Sequence, residues 1–565
     1  MSRSISLLVF GLMVAFFGAF FAWPIWETVK VAVVDARGNP TVENVLEVFR
    51  NALYREGLVN AFSIALWTTL GCLVLALPLA VCQVRFDFPG KVLLNSLVLT
   101  PMVLPPFVGA IGVKAILGQA GALNSLLAAF GWMDPMHPID WLGDGRLPGI
   151  VLMEVLHLYP ILYLNAAAAL ANLDPALEEA AANLGCPPGR RFWRVTLPLI
   201  MPGVFAGGTI VFIWAFTELG VPLVFDFDRV TSVQIFRSIN DLSGNPFPYA
   251  LVLVMLLFSG GFYLLGKLLF GRGAGGAGGG RATTGRQPVV LSGVAGWLVT
   301  GLFASVTLLA VLPHLGVVAL SFAGDWYQTV FPTGLTLEHY HAALGHELTL
   351  SSISNSLKYS SLAMVLDLIL GIGVAYVVVR TRLPGRQLLD VMAMLPLAVP
   401  GLVMAFGYLA LTREGRPLDF LILGEDPVLL LVVAYAVRRL PYVVRSASAG
   451  FQQVSPTLEE AAQNLGARPE KALWRVTLPL VAPNLVAGGL LAFAFAMLEV
   501  SDSMILAQQA AHFPITKAIY FLIGTLGTGP NLAAALGVWA MLFLTVTIAG
   551  ASILLGKKLG ALFRG

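Results

Sequence analysis

Two near-identical stretches decide the fold of this chain. Leu177–Pro198 reads LEEAAANLGCPPGRRFWRVTLP, and Leu458–Pro479, which begins 281 positions further on, reads LEEAAQNLGARPEKALWRVTLP. Each copy has Glu-Ala-Ala, a glycine six residues after that glutamate, and a Leu-Pro whose proline is nineteen residues after it. Each copy also lies between two long apolar runs and so forms a polar island. An ordinary loop has no reason to recur in register, so the islands indicate an internal repeat.

Each island is predicted to fold as a short helix, a turn and a second, basic helix. Asp174 and Ser455 are suited to the N-cap, and each is followed by a proline at the first helical position. Acidic residues fill the first turn, where the helix dipole favours them. Gly185 and Gly466 are placed to end the first helix as C′ glycines. The basic residues that follow favour a cytoplasmic location.

The composition is that of a polytopic membrane protein. Of 565 residues, 57% are hydrophobic and 12% are charged, and the mean hydropathy is +0.82. Soluble domains carry about 25% charged residues. A formal net charge of +3 gives no reason to expect a nucleic-acid partner. The three cysteines do not suggest a disulfide framework, and no metal-ligand spacing occurs, so no metal site is predicted.

Apolar runs of about 20 residues predict twelve helices that span the lipid bilayer. They fall near residues 5–26, 61–83, 92–117, 149–171, 199–221 and 249–270, and near 294–320, 355–379, 388–411, 427–449, 480–506 and 532–555. The predicted fold class is therefore an all-α polytopic membrane protein with two six-helix halves. Because each half has six spans, both halves share one orientation. We expect a pseudo-twofold axis along the membrane normal to relate them, as in a parallel repeat.

The repeat divides the chain into two halves joined by a linker. Residues 1–270 form the first half, with its island at 174–198. Residues 289–565 form the second half, with its island at 455–479. Residues 271–288 are rich in glycine and are predicted to be a flexible cytoplasmic linker. A fusion of two similar halves explains the linker and the repeat together.

The offset between the halves changes along the chain. Asn60 matches Asn355 at an offset of 295 residues, whereas the islands match at 281. The difference of 14 residues is assigned to an insertion in the loop 118–148 of the first half.

Charge predicts the orientation of the spans. Lysine and arginine cluster after the second and eighth spans, in the islands, between the halves and at the C-terminus. All of these segments lie on one side of the membrane in a twelve-span count. By the positive-inside rule that side is the cytoplasm, and both termini are predicted to be cytoplasmic.

The island spacing resembles the EAA loop of permease subunits in bacterial ABC importers, which work with a substrate-binding protein. Both copies also have a β-branched residue, Val195 or Val476, two positions before Leu-Pro. The resemblance implies a multi-pass protein of the bacterial inner membrane whose two short helices dock on two copies of a cytoplasmic ATPase. The alternative is an ordinary amphipathic loop. The residues to which the resemblance assigns ATPase coupling are Glu178, Glu179, Ala180, Ala181, Gly185, Glu459, Glu460, Ala461, Ala462 and Gly466.

The resemblance also implies a transport subunit rather than an enzyme. No Gly-x4-Gly-Lys-Ser/Thr loop occurs in the chain, so ATP and Mg²⁺ are expected on the partner ATPase and no cofactor on this chain. The stretch Tyr435–Tyr442, YAVRRLPY, looks most like the iron and aminoethylphosphonate permeases. Iron(III) is therefore the first expectation for the substrate, with a phosphonate, a phosphorylated sugar, thiamine or a polyamine as alternatives. A secondary transporter and a membrane-embedded enzyme are the rival classes.

Two glutamates and two prolines inside the spans are candidates for lining the translocation path. An ionisable group in a span costs about 2.5–3.5 kcal/mol on insertion scales, which makes it a functional candidate. Glu218 and Glu499 occupy equivalent positions late in the fifth and eleventh predicted spans. Pro105 and Pro400 are expected to bend the third and ninth. Hydrogen bonds between spans and plain kinks are the alternatives.

Arg438 and Arg439 lie near the middle of the tenth predicted span. Adjacent residues on a helix point about 100° apart. Only one arginine can therefore point straight at a central cavity, where it would attract an anion, and we expect the other to find a carboxylate or backbone carbonyls. The alternative is that the arginines pair with Glu154, Asp367 or another carboxylate.

Overall fold

The computed structural model describes residues 3–35, 38–102, 104–143, 146–241, 245–276, 288–422, 424 and 426–555, and these residues are mainly helical. The helices up to residue 276 are α1 Arg3–Phe17, α2 Trp23–Ala32, α3 Glu43–Arg50, α4 Ala52–Arg85, α5 Lys91–Leu97, α6 Pro106–Leu117, α7 Ala122–Ala129, α8 Leu147–Ala171, α9 Pro175–Asn183, α10 Pro188–Arg191, α11 Leu197–Phe216, α12 Gly220–Val224, α13 Thr231–Arg237 and α14 Phe247–Gly276.

The helices from residue 288 onward are α15 Gly293–Phe322, α16 Glu338–Gly345, α17 Glu347–Arg380, α18 Arg386–Met394, α19 Gly401–Leu411, α20 Val428–Gln453, α21 Pro456–Asn464, α22 Pro469–Ala472, α23 Leu478–Met497, α24 Ser501–Leu506, α25 Ile515–Ile523 and α26 Gly529–Leu555. Short 3-10 helices occupy Thr100–Met102, Ser238–Asp241, Leu395–Leu397, Asp419–Leu421 and Ala510–His512. Single π-helical turns at Gly18–Ala22, Phe192–Thr196 and Leu473–Thr477 join α1 to α2, α10 to α11 and α22 to α23.

The predicted fold class is confirmed. Within the described ranges, ten helical segments are long and apolar enough to cross a membrane. An eleventh span is obtained if α18 and α19, which meet at a 100° bend, are counted together. Helix α20 has 26 residues and carries Arg438 and Arg439 at its centre; with it the number of membrane helices is twelve.

The fifth and eleventh predicted spans each contain a helix break near the end. Helix α11 ends at Phe216 and α12 begins at Gly220, while α23 ends at Met497 and α24 begins at Ser501. Apolar composition does not reveal these breaks, because a broken and a continuous apolar helix look alike in hydropathy.

The helices pack into two compact units. Unit I comprises Leu53–Gln234 and Leu257–His339, and unit II comprises Met1–Ala52, Ile235–Leu256 and Tyr340–Leu562. Each unit therefore takes its first membrane helix from the other half of the sequence. In unit I that helix is α15, which packs along α6, and in unit II it is the α1–α2 segment, which packs along α17 and α19.

In each unit, a close approach between two backbones fixes the membrane helix that comes from the other half of the sequence. A Cβ atom at Gly112 of α6 would lie 1.8 Å from the Pro313 carbonyl oxygen of α15. A Cβ atom at the equivalent Gly407 of α19 would lie 2.2 Å from the Pro24 carbonyl oxygen of α2. Small residues allow backbones to approach closely in membrane helix pairs, where van der Waals packing drives association. Both glycines are therefore required by packing.

The predicted linker 271–288 is only partly described. Helix α14 continues to Gly276, and residues 277–287 lie outside the described ranges, as do the basic C-terminal residues 556–565. Immediately after the linker, strand β2 Val289–Val290 pairs in parallel with strand β1 Phe86–Asp87. The backbone N–H of Leu291 also donates to the Asp87 carbonyl at 2.8 Å. The end of the linker is thereby fixed to the loop after α4, within unit I.

Replacing Gly112 by alanine is expected to destabilise unit I by about 1–3 kcal/mol or more, because the new methyl group overlaps backbone atoms that cannot move aside. Gly301 of α15 is the matched control, since a Cβ there meets nothing within 4 Å. Alanine at position 301 should be neutral or stabilising by up to about 1 kcal/mol. Thermal unfolding of the purified variants in detergent measures the difference. Equal stability of the two variants would contradict the close-approach account.

Candidate functional site

The first island has the helix ends that its sequence predicts. The Asp174 carboxylate accepts a hydrogen bond from the Ala176 backbone N–H at 3.0 Å and caps α9. Pro175 occupies the first helical position, where its missing N–H costs nothing. Helix α9 ends at Asn183, and Gly185 follows with a φ of +78°. Only glycine adopts that φ without strain, so both predicted ends of the helix are confirmed.

A buried glutamate fixes this helix to the rest of unit I. Glu178 is buried and its carboxylate accepts hydrogen bonds from the Arg85 guanidinium and the Thr196 hydroxyl. Arg85 is the last residue of α4, and Thr196 lies in the π-helical turn before α11. We call Arg85, Glu178 and Thr196 the first clasp. It ties α9 to the ends of two membrane helices, so a push on α9 is transmitted directly to them.

The second island has a similar set of contacts in unit II, although the Arg380 guanidinium donates its hydrogen bond to the Val454 carbonyl. The Ser455 hydroxyl accepts from the Thr457 N–H at 3.4 Å and caps α21, and Gly466 ends it with a φ of +89°. The second clasp consists of Arg380, Glu459 and Thr477. The Thr477 hydroxyl donates to the Glu459 carboxylate at 2.8 Å, and the Arg380 Nε lies 3.3 Å from the same oxygen.

The other side of each island faces outward. Glu179 and Glu460 are exposed, and so are Ala180 and Ala461, whereas Ala181 and Ala462 are half-buried. Within each island, the most exposed apolar residue is the leucine at the end of the first helix, Leu184 at 88% and Leu465 at 90%. Sequence reasoning missed these leucines, although both directly precede the repeated glycine. Each island thus presents an apolar and acidic ridge of the kind that a partner protein covers.

The two glutamates of each Glu-Glu pair therefore differ in position. Glu178 and Glu459 point inward into the clasps, while Glu179 and Glu460 point outward. Sequence reasoning also missed the arginine and threonine of each clasp. The internal repeat could have indicated them, because Arg85 matches Arg380 at the offset of 295 residues and Thr196 matches Thr477 at the offset of 281. Coupling of the ten predicted residues to an ATPase stays a prediction.

Inside the membrane, the predicted path residue Glu218 lies in a helix break of unit I. The helix is interrupted between Phe216 and Gly220. At this interruption, Glu218 Oε1 accepts hydrogen bonds from the backbone N–H groups of Gly220 and Val221 at 2.9 and 3.3 Å. It therefore caps α12 and satisfies N–H groups that the break leaves free. The buried side chain of Glu154 on α8 lies within electrostatic range of this carboxylate.

The equivalent break in unit II holds an ion-pair cluster. The Glu499 carboxylate accepts from Arg438 Nη1 at 2.7 Å and from the Arg439 guanidinium. Both arginines reach the same carboxylate, which agrees with the alternative that they pair with an acidic residue rather than divide between a cavity and a carboxylate. Asp502 Oδ2 lies 3.7 Å from Arg438 Nη1. The buried Asp367 of α17 lies within electrostatic range of Arg439.

The cluster also occupies the break in the ninth predicted span. A Cβ atom at Gly401, the first residue of α19, would lie 1.8 Å from Arg438 Nη1. Pro400 caps α19, and Pro105 caps α6 at the equivalent break of unit I. There the His157 ring stands in place of Arg438, with its Nδ1 2.8 Å from the Pro101 carbonyl. The predicted bends are confirmed; a path-lining role for these residues stays a prediction.

Comparison with known families identifies the chain. The family model described as "Binding-protein-dependent transport system inner membrane component" matches residues 72–274 and 367–553, which together are more than half of the chain. The chain belongs to this family. It is accordingly a multi-pass permease subunit of the inner membrane, with the family domain present twice. Among the described residues, no group of three or more His, Cys, Asp or Glu side chains is placed to hold a metal ion.

Three relatives show where this permease is similar to others. It is 28% identical over 471 residues to the putative ferric transport system permease protein FbpB 1 of Haemophilus influenzae, covering 82% of the chain and 70% of the relative. It is 27% identical over 543 residues to the probable ABC transporter permease protein y4fN of Sinorhizobium fredii, covering 95% of the chain and 93% of the relative. It is 31% identical over 204 residues to the putative 2-aminoethylphosphonate transport system permease protein PhnU of Salmonella typhimurium, covering 36% and 70%.

Replacing Glu499 by glutamine is expected to lower the stability of the permease by about 3–5 kcal/mol, because it removes the nearest counter-charge of two largely buried guanidinium groups. Glu218→Gln is the matched control at the equivalent position. Its amide oxygen can still accept from Gly220 and Val221, so we expect a loss below about 1 kcal/mol. Thermal unfolding in detergent and the yield of inserted protein measure both. The cluster account fails if the two variants are equally stable.

Proposed function

We propose that this chain supplies both transmembrane halves of an ATP-driven importer. Two copies of a cytoplasmic ATPase dock on α9 and α21, and a substrate-binding protein delivers substrate on the opposite side. ATP binding by the ATPases moves the two islands and switches the permease between inward-open and outward-open states. The chain itself carries no nucleotide, and both of its termini are cytoplasmic.

The observation that carries this proposal is the pair of clasps. The same three side-chain types hold the same short helix in both units, with one buried acid and one exposed acid in each island. A helix that only connects two spans needs neither a buried ion pair nor a glycine-terminated exposed ridge. A helix that transmits force needs both, because it must be rigidly attached on one side and accessible to a partner on the other.

We propose iron(III) as the substrate. Support comes from the ferric transport relative, which matches across both halves of the chain. The second candidate is an aminoethylphosphonate, because the relative of that name has the higher identity over its shorter match. Mass spectrometry of the ligand that copurifies with the binding protein decides between them, and iron in that protein is the expected result.

Reversing the charge of both Glu179 and Glu460 to arginine is expected to abolish stimulation of the ATPase by substrate-loaded binding protein. The variant should still insert and unfold like the wild-type permease, because both side chains are exposed and outside the clasps. Changing Leu184 and Leu465 together to serine should have the same effect, since it removes the apolar part of each ridge. ATPase assays on the complex in nanodiscs measure stimulation.

The control for this experiment is Asp87→Arg, which reverses an exposed acid in strand β1, next to Arg85 at the cytoplasmic end of α4. It should leave stimulation unchanged. Wild-type stimulation in the Glu179 and Glu460 double variant would show that the islands do not couple the permease to an ATPase.

A further inference from the structure

A charged cavity of about 600 Å³ opens at one end of unit I, far from the islands. It is formed by the first turns of α4, the start of α8 and the loop after α12. The residues that line it are Glu56, Asn60, Arg146, Leu147, Asp226, Phe227, Asp228 and Arg229. Five of these eight residues are charged, which is unusual for a chain with 12% charged residues.

Helix α4 places this cavity across the membrane from the first clasp. Glu56 lies near the start of α4 and lines the cavity, while Arg85 ends the same helix and binds Glu178. Arg85 is 29 positions after Glu56, and this stretch of helix is about 44 Å long. That length exceeds the roughly 30 Å hydrocarbon core of a bilayer. If α9 lies in the cytoplasm, the cavity opens to the outside.

Four of the five charged residues of the cavity form ion pairs that stay partly exposed. Arg229 Nη1 lies 3.2 Å from the Glu56 carboxylate, and their side chains are 67% and 44% exposed. Asp226 is held at 2.9 Å by Lys114 and at 3.2 Å by Arg146. Exposed ion pairs contribute only about 0–1 kcal/mol, so they exchange partners at little cost. A partner protein with complementary charges can therefore form ion pairs with these oriented side chains, and breaking the existing pairs costs little free energy.

Unit II has a similar backbone arrangement at this place with fewer charges. Asn60 donates its side-chain N–H to the Arg229 carbonyl at 2.7 Å, and the equivalent Asn355 donates to the Ala511 carbonyl at 2.8 Å. The loop that matches Asp226–Arg229 is longer in unit II, because Ser232 and Thr516, whose hydroxyls both donate to the carbonyl of the glutamate at the break, are 284 positions apart. Glu56 and Arg146 match Ser351 and Pro427, and the longer loop places His512 Nδ1 3.7 Å from Asp426. The described residues of unit II do not repeat the pairs Glu56–Arg229 and Asp226–Arg146, so the fold does not require these pairs.

We propose that this cavity receives a pair of oppositely charged side chains from one lobe of the substrate-binding protein. The proposal rests on the proposed function and adds which unit that lobe contacts. Binding proteins close two lobes around their ligand, so two unlike surfaces meet two similar permease halves. Only features that differ between the halves can set the orientation, and complementary charge is effective at fixing register and rejecting wrong orientations.

The test exchanges the two charges of one pair. The double variant Glu56→Arg with Arg229→Glu keeps the internal ion pair and the net charge but inverts the pattern that a partner meets. We expect Arg229→Glu alone and the double variant each to raise the KM for substrate-loaded binding protein in ATPase stimulation by roughly tenfold. The rate at saturating binding protein should stay at the wild-type value.

The matched control is Arg50→Glu in α3 of unit II. Arg50 forms an exposed ion pair with Glu43, and its reversal changes the net charge by the same amount. It should leave the KM unchanged. The proposal is overturned if the double variant restores the wild-type KM, since the pair is then only an internal contact. It is also overturned if Arg50→Glu raises the KM equally, or if the cavity variants change ATPase activity without binding protein.

Failure of the proposal differs visibly from failure of the proposed function. Strong stimulation of every variant by binding protein, with equal KM values, would remove the docking cavity and leave the importer intact. No stimulation of the wild-type complex by any substrate-loaded binding protein would contradict both.

Discussion

The carboxylate of Glu178, held between Arg85 and Thr196, is the contact that attaches the first island to the rest of unit I. It joins a short surface helix to the ends of α4 and α11. Because the carboxylate is buried, loss of either partner leaves a charge or a polar group without compensation, which makes the attachment stiff. The second unit repeats it with Glu459, so a force applied to either surface helix reaches membrane helices through one buried acid.

The two halves share a backbone plan but distribute their charges differently. Within the membrane, unit II concentrates Arg438, Arg439, Glu499, Asp502 and Asp367, where unit I has His157, Leu158, Glu218, Val221 and Cys72. At the end of α4 opposite the first clasp, unit I has the charged cavity, whereas the matching part of unit II has His512 Nδ1 3.7 Å from Asp426. Features common to both halves, such as the clasps and the glycine contacts of α6 and α19, serve the common mechanism. In the proposed account, features present in one half only set the orientation of the binding protein.

Local sequence predicted local structure well. The ends of α9 and α21 followed from an N-cap residue, a proline and a glycine within twelve residues, and the structure has all three. Contacts between distant positions did not follow in the same way. The Arg85–Glu178 contact joins residues 93 positions apart, and hydropathy gives no sign of it. The breaks at Glu218 and Glu499 were hidden because the surrounding residues are apolar on both sides. Since the break determines where Glu499 points, the partner of Arg438 and Arg439 was not predictable from their own span.

The central claim is that one chain supplies both docking helices for a pair of ATPases. Native mass spectrometry of the complex, purified from its own membranes through a tag on this chain, tests it most directly. The account predicts one copy of this 60.2 kDa chain with two copies of an ATPase polypeptide. A chain that purifies without any ATPase, yet still accumulates substrate in vesicles that lack ATP, would contradict it.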